Sequence, residues 1–461
     1  MTMKFDAKTW IGRTFADGFG YAESRDNIYV QHPVAEIQKL NVFTPVAYLD
    51  HGSVNGYTAE TAPILMPNTV GGYLPGPADQ PGEAGWPSRG KTIEAALRQG
   101  YVVVSAGIRG RTTLNAVGNQ IGGAPALLID MKAAVRWVKA NAALLPGRVD
   151  RIITNGTSAG GALSALTGAS GNDVRYESEL QRLGAADEDD SVFAASVYCP
   201  IHNLEHADMA YEWQFNGIND FNSFHEVSEN GKTTTQAWHG TLSPAQQELS
   251  AKLKASFPAY LNSLNLHAPD GTPLSLRADG NGSFLTYLQS LLIASAQHAL
   301  DIGATVPTEA GFTMRDGKMM AVDWPVYLRY IGRMKSTPAF DSLSLSSPEN
   351  NEFEDRHFTA FSQQMDSNHS PLAPADLIAA MNPLTAIGSA KTAQHWRIRH
   401  GAADRDTSFA IPTILALTLQ NRGFSVDFAL PWATPHDGDY DLPELFAWID
   451  RLCKKETLFG A

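Results

Sequence analysis

The run Arg151-Ile-Ile-Thr-Asn-Gly156-Thr-Ser158-Ala-Gly160-Gly161, continued by Ala162-Leu-Ser-Ala-Leu-Thr167, constrains this chain more than any other stretch. β-branched residues lead in, small residues crowd a turn, and alanines and leucines suited to a helix follow. The pattern predicts a strand, a sharp turn and a helix, with Ser158 at the apex. Gly156, Ala159, Gly160 and Gly161 leave room for a strained turn and a close approach of helix to strand. A serine at that apex projects from the sheet edge as a nucleophile would. Ordinary strand-to-helix turns also match so short a motif, so the rest of the chain must supply an acid, a base and an oxyanion site in a compatible order.

The flanking segments alternate. Residues 28–49 carry β-rich runs and predict the first strands. Ala62-Pro-Ile-Leu-Met66 is a third apolar run, opening into the glycine- and proline-rich loop Asn68 to Pro77. Thr92 to Gly100 reads as a helix stopped by glycine, and Tyr101-Val-Val-Val-Ser-Ala106 as a buried strand. Leu128, Met131, Val135, Val138 and Ala142 fall on one helical face. Phe193 to Pro200 is the strand after the serine turn. Strands alternating with helices predict a parallel sheet with crossovers.

From Ile201 to about Lys391 that beat is lost. Helices remain, marked by the Ser243-Pro-Ala-Gln246 capping box and by Leu288, Leu291, Leu292 and Ala299. Alternation resumes with a strand at Trp396–Arg399, a helix from Phe409, a strand at Val426–Leu430 and a helix around Leu445–Cys453. This order predicts an α/β-hydrolase fold, a mainly parallel sheet flanked by helices. Residues 1–200 and 392–461 would form a discontinuous catalytic domain. Residues 201–391 would be a large, mostly helical inserted cap over the C-terminal edge of the sheet.

Composition removes several function classes. A chain of 461 residues exceeds what one core organises, and a formal charge of −13 disfavours nucleic acid and anionic membrane surfaces. No apolar run has the length of a membrane span, and the N-terminus lacks the apolar core of a signal peptide, so a cytoplasmic protein is expected. The 2 cysteines, Cys199 and Cys453, rule out a disulfide framework. Oligomeric state has no signature in the sequence.

In an α/β-hydrolase the triad runs serine, acid, histidine along the chain. After the strand ending at Arg399 comes His400-Gly-Ala-Ala-Asp404-Arg-Asp406, and after the strand ending at Leu430 comes Pro431-Trp-Ala-Thr-Pro-His436. Ser158, Asp404 and His436 are therefore the expected nucleophile, acid and base. Asp406 is an alternative acid, and His400 is expected to shape the acid's turn. The backbone N–H groups of Gly72 and Ala159 are the expected oxyanion donors. No cofactor or metal is needed for such chemistry. His202-Asn-Leu-Glu205-His206 matches an inverted zinc-hydrolase motif and stands as a rival, as does a non-catalytic binding module on the same fold. Asp437 to Asp441 starts like a calcium loop, but Leu442 and Trp448 occupy its sixth and twelfth positions. Glu188-Asp-Asp190 reads as a solvated loop.

With these pieces assembled the chain resembles the bacterial tannases nearly end to end. The resemblance rests on Tyr29–Val34, Pro63–Pro77, the serine turn, Cys199-Pro-Ile-His-Asn-Leu-Glu-His-Ala-Asp-Met-Ala-Tyr-Glu-Trp-Gln-Phe-Asn216, Arg397–Asp406 and Pro431–Tyr440. It implies hydrolysis of galloyl esters (galloyl-glucoses and alkyl gallates) to gallic acid and an alcohol, without a cofactor. It also implies that Lys335, Glu349 and Asp406 meet the galloyl hydroxyls and that Ile201 and Pro348 pack on the ring faces. A related phenolic-acid esterase of feruloyl type is the alternative within this class. The disulfide of fungal-type enzymes is excluded, because Thr157 and Asp437 stand at those flanks.

Overall fold

The computed structural model describes residues 3–85, 88–229, 232–345 and 356–454. They form two compact units. The first comprises Met1–Pro200, Ala375–Arg397 and Gly438–Ala461; the second comprises Ile201–Pro374 and Ile398–Asp437.

In chain order the first stretch of the first unit contains β1 (Ile11–Thr14), β2 (Gly20–Ile28), β3 (Lys39–Pro45), β4 (Pro63–Pro67), α1 (Gly90–Gln99), β5 (Val102–Ala106), α2 (Ala126–Ala140), β6 (Arg148–Thr157), α3 (Ala159–Ala169), α4 (Glu177–Leu183) and β7 (Ala194–Tyr198). The second unit follows with α5 (Leu204–Phe215), β8 (Asp220–Glu229), β9 (Lys232–Thr241), α6 (Pro244–Ser263), α7 (Ser283–Asp301), β10 (Phe312–Arg315), β11 (Lys318–Val322), α8 (Trp324–Ile331) and α9 (Ala360–Met365). The chain then returns to the first unit for α10 (Ala375–Ala380). β12 (His395–Arg399) carries it across again to α11 (Ala410–Asn421) and β13 (Ser425–Ala429), and α12 (Leu442–Lys454) closes the first unit.

Strands of the first unit lie in the order β1-β2-β3-β5-β4-β6-β7-β12. β1 to β3 and β5 pair antiparallel, whereas β5, β4, β6 and β7 pair parallel. Every residue of β4, β5 and β7 is buried, as expected of a parallel sheet covered on both faces. Register fixes what happens at its edge. Pro67 pairs with Asn155, and Thr157 pairs with Tyr198, so the chain leaves β4, β6 and β7 at one end of the sheet.

The strand–helix beat read from the sequence matches these elements from β4 to β7 and again from β12 to α12, and the Ser243–Gln246 capping box is present. Three features differ from expectation. Residues 29–38 are not strand: Tyr29 and Val30 are buried as plugs, the Tyr29 hydroxyl donating to the Gly107 carbonyl at 2.7 Å. β1 was invisible because every residue in it is exposed, so no apolar alternation marks it. The second unit holds two antiparallel hairpins, β8–β9 and β10–β11, among its helices.

Asp190 corrects another expectation. It is not solvated but fully buried, paired with Lys132 at 2.8 Å and Arg136 at 2.8 Å. Both partners lie on α2, far from Asp190 in sequence, so no local pattern marks the pairing. Both cysteines are buried and unbridged. No helix among the described residues is long and apolar enough to cross a membrane.

A second buried pair holds the return of the chain. Arg397, 1% exposed, donates to the Tyr198 hydroxyl at 2.8 Å and to the carboxylate of Asp441, which also accepts from Tyr198 at 2.6 Å. Removing one partner strands a buried charge, a loss of about 3–5 kcal/mol. Asp441→Ala is therefore expected to lower the thermal unfolding midpoint by several degrees; an unchanged midpoint in calorimetry would show that the pair does not secure this turn.

Candidate active site

In the first unit β6 delivers Ser158 at its end, with φ 61° and ψ −124°. An L-residue held there stores on the order of 1–3 kcal/mol of strain, tolerated only where the surroundings over-determine it. They do. The Ser158 N–H donates to the Tyr198 carbonyl at 3.0 Å, and Ala159 is the first residue of the wholly buried α3. A Cβ on Gly156 would lie 2.2 Å from the Gly160 carbonyl oxygen. One on Gly160 would lie 2.4 Å from Asn68 Oδ1, and one on Gly161 2.4 Å from the Tyr198 carbonyl oxygen. These glycines are what allow the turn to close.

The loop after β4 is latched to this turn by Asn68. Its amide donates to the carbonyls of Asn155 and Gly160, each at 3.0 Å, while its Oδ1 accepts from the Val70 N–H at 3.2 Å. Further on, Leu74 N–H bonds to the Gly71 carbonyl at 2.9 Å, with φ of 54° at Gly72 and 57° at Tyr73. That is a type I′ turn, for which glycine at 72 is well suited. Gly72 and Ala159 thus both stand in the first unit, on segments joined through Asn68.

The second unit brings Asp404 and His436 together. His436 Nδ1 lies 2.7 Å from Asp404 Oδ2. Asp404 is fully buried, and its other oxygen accepts the Asp406 N–H at 2.8 Å. Burial alone would raise this carboxyl; His436 and then His400 outweigh it and hold it at about 2. It is an ionised partner of the kind that fixes which ring nitrogen of His436 carries the proton. The two loops are packed backbone to backbone. Ala402 N–H donates to the Pro431 carbonyl at 2.8 Å and Ala403 N–H to that of Thr434 at 3.0 Å. A Cβ on Gly401 would lie 2.0 Å from the Thr434 oxygen. His400 sits fully buried, Nδ1 3.5 Å from Asp404 Oδ2, its ring edge-on to Phe409.

Beside this pair, Lys335 Nζ lies 2.9 Å from Asp406 Oδ1 and 4.0 Å from the centre of the Phe340 ring. Burial disfavours the Asp406 charge, but Lys335 first and His436 next hold its carboxyl below the usual range. Ile201 is buried at the start of the second unit. Pro348 and Glu349 lie outside the described residues.

His202, Glu205 and His206 do not form the zinc site that their spacing allowed. Among the described residues their donor atoms do not gather within 4.8 Å. His206 Nδ1 bonds to Asn203 Oδ1 at 2.8 Å and its ring stacks on Tyr260, while His202 is buried and burial holds its imidazole at about 3. The motif straddles the start of α5 rather than lying along a helix.

Sequence reading missed the residues that anchor the start of the last segment of the first unit. Gly438, two residues past His436, packs in the first unit on Thr157, the residue before Ser158: a Cβ at 438 would meet Thr157 Oγ1 at 1.9 Å. Asp439 then accepts from Asn155 at 2.8 Å and from Thr92 at 2.8 Å. The only sequence signal was the acidic spacing of 437–441, which resembled a calcium loop and is in fact a set of chain anchors.

Comparison with known proteins shows which chains this one is similar to. The BD-FAE family profile matches residues 79–261. A tannase from Lactobacillus plantarum is 55% identical over 98% of this chain and 100% of its own, with a TM-score of 0.94. A tannin acyl hydrolase in complex with ethyl gallate is 54% identical over 98% of this chain and 99% of its own, TM-score 0.92. A Fusobacterium nucleatum tannase is 42% identical over 98% and 99%, TM-score 0.92. A shorter match, 43% over 56 residues, links 12% of this chain to only 14% of the esterase LipC of Mycobacterium tuberculosis.

The Gly438–Thr157 contact gives a test. Gly438→Ala should cut ester turnover about 100-fold or more, since displacements near 1 Å carry such losses. Thr157→Ala in the same chain should restore part of it. A Gly438→Ala enzyme with undiminished kcat on a p-nitrophenyl ester would refute the contact's importance.

Proposed function

The chain belongs to the tannase family of α/β-hydrolase serine esterases, and from that footing we propose that it hydrolyses galloyl esters to gallic acid and an alcohol. In this reading Ser158 attacks the ester carbonyl while His436 takes its proton. The oxyanion that forms is held by the N–H groups of Gly72 and Ala159, and collapse of the tetrahedral intermediate expels the alcohol, protonated by His436. The galloyl group is left on Ser158. Water, deprotonated by the same histidine, attacks the acyl carbonyl, and collapse of the second tetrahedral intermediate releases gallic acid as His436 returns the proton to Ser158 Oγ. Asp404 stays ionised throughout and stabilises the imidazolium. No cofactor enters the scheme.

The observation that carries this reading is the double use of the Asp404 carboxylate. One oxygen engages His436 and the other fixes the backbone of Asp406, the residue paired with Lys335. The proposed catalytic acid thereby also positions the proposed acyl-group partner. A carboxylate accepts phenolic O–H groups and an ammonium donates to phenolic oxygens, so Asp406 and Lys335 suit a ring bearing adjacent hydroxyls, with Glu349 proposed as the second carboxylate. Ile201 and Pro348 are proposed to cover the ring faces. We assign residues 1–200 and 392–461 the catalytic role and residues 201–391 that of a cap. Galloyl-glucoses and alkyl gallates are the proposed substrates, in a cytoplasmic setting where buried, unbridged Cys199 and Cys453 suit a reducing milieu.

Release of gallic acid from methyl gallate by the wild-type enzyme, with a drop of about 10⁴ or more in Ser158→Ala, is the direct test. Retained activity in that variant, abolished by chelation, would overturn the serine mechanism; faster cleavage of methyl ferulate would overturn the galloyl assignment. Asp406→Asn separates binding from catalysis. It is expected to lower kcat/KM for methyl gallate about 10- to 100-fold while changing methyl benzoate little, given about 1.5–3 kcal/mol for a charge-assisted hydrogen bond. Equal losses on both esters would assign Asp406 to the triad or its scaffold instead.

A further inference from the structure

We infer that Tyr211 is a positioning residue that fixes Lys335 against Asp406 and thereby sets selectivity for hydroxylated acyl rings; the inference rests on the proposed pairing of those two residues with galloyl hydroxyls. Three bonds converge on one phenolic oxygen. It accepts the Lys335 N–H at 2.9 Å and the Met334 N–H at 3.2 Å, and it donates to the Arg405 carbonyl at 2.9 Å. Arg405 is the residue between Asp404 and Asp406. A phenol has one proton to donate and two lone pairs, so this hydroxyl is saturated. It is also fully buried, and burial pushes its titration far above the ordinary value, so the proton that reaches Arg405 stays in place.

The next residue of α5 holds the other side of the same peptide. Glu212 grips the buried Arg333 guanidinium, with Nη1 at 2.8 Å, and Arg333 Nε donates to the Lys335 carbonyl at 2.6 Å. The Lys335 backbone is therefore bonded through both its N–H and its C=O to groups anchored on one turn of α5. From that fixed origin the side chain runs to Asp406 at 2.9 Å. Asp406 is in turn fixed by the Asp404 carboxylate on one side and by the Tyr211–Arg405 bond on the other.

A bland alternative is that Tyr211 merely fills space. Its ring contacts Phe215 at 4.7 Å, Phe340 at 6.0 Å and the Arg333 guanidinium at 5.3 Å between centres. Tyr211→Phe keeps all of that packing and removes only the hydroxyl, so it distinguishes the two.

The experiment measures kcat/KM for methyl gallate and methyl benzoate, with melting temperature, in wild type, Tyr211→Phe, Asp406→Asn and the double variant. The gallate-to-benzoate ratio is expected to fall about tenfold or more in Tyr211→Phe, the size of effect that loose positioning produces. In the Asp406→Asn background the same change should move gallate turnover less than about threefold, because coupled residues are not additive. Arg333→Lys, which retains charge opposite Glu212 but loses the Nε donation, should shift the ratio in the same direction and covers the case of an unstable phenylalanine variant. Equal losses on both esters, or full additivity with Asp406→Asn, would overturn the inference. A wild type with no preference for gallate over benzoate would instead sink the substrate reading on which it rests. A clear wild-type preference left intact by both Tyr211→Phe and Arg333→Lys would sink the positioning role alone.

Discussion

The candidate site depends on one buried carboxylate. Asp404 is wholly removed from water, which by itself favours its neutral form, yet it is held at about 2 by two histidines. That is possible only because both oxygens have work: Oδ2 meets His436 Nδ1 and Oδ1 meets the Asp406 amide. A lone buried charge would cost several kcal/mol, so the surroundings must keep both contacts at once. The packing of residues 401–403 against the 431–434 backbone, with no space for a Cβ at Gly401, is how they do it. The geometry of His436 and that of the neighbouring Lys335–Asp406 pair are thereby set by the same group.

The parts of this design that could be read from the chain are those that repeat at short range. The approach of β6 to Ser158 showed in its β-branched run, and α2 and α7 showed in apolar residues three and four apart. The order Ser158, Asp404, His436 followed once strands were located. What stayed hidden has no local signature. Strand β1 is exposed throughout, and the hairpins β8–β9 and β10–β11 lie in a segment read as mostly helical. Asp190, Asp439 and Asp441 looked like solvated acids or a metal loop because their partners (Lys132, Asn155, Arg397) lie on other elements. Lys335 entered through resemblance alone, since one lysine in a long irregular stretch resembles any other until its neighbour is known.

α5 shows why resemblance was concentrated where it was. Residues 199–216 include no member of the expected triad, yet they are among the longest of the segments that carry the resemblance. In the structure Asp208 accepts the N–H groups of Ala339, Phe340 and Asp341. Tyr211 and Glu212 hold the chain at 333–337, and the Gln214 side chain accepts from Ser408 and from the Phe409 N–H. A helix with buried polar groups on several faces is costly unless each is satisfied, and here the satisfying partners are irregular segments with little regular structure of their own.

That arrangement has a consequence for how such enzymes can be recombined. The strap at 333–341 cannot be exchanged as a cassette, because its backbone donors are matched to carboxylate and phenol oxygens supplied more than a hundred residues earlier. A graft of the strap alone would arrive at a socket cut for a different plug. A transplant that carried α5, the strap and the 404–409 turn as one block would bring its own matching set, so acyl preference should be inherited by whole blocks of this kind and scarcely at all by single loops.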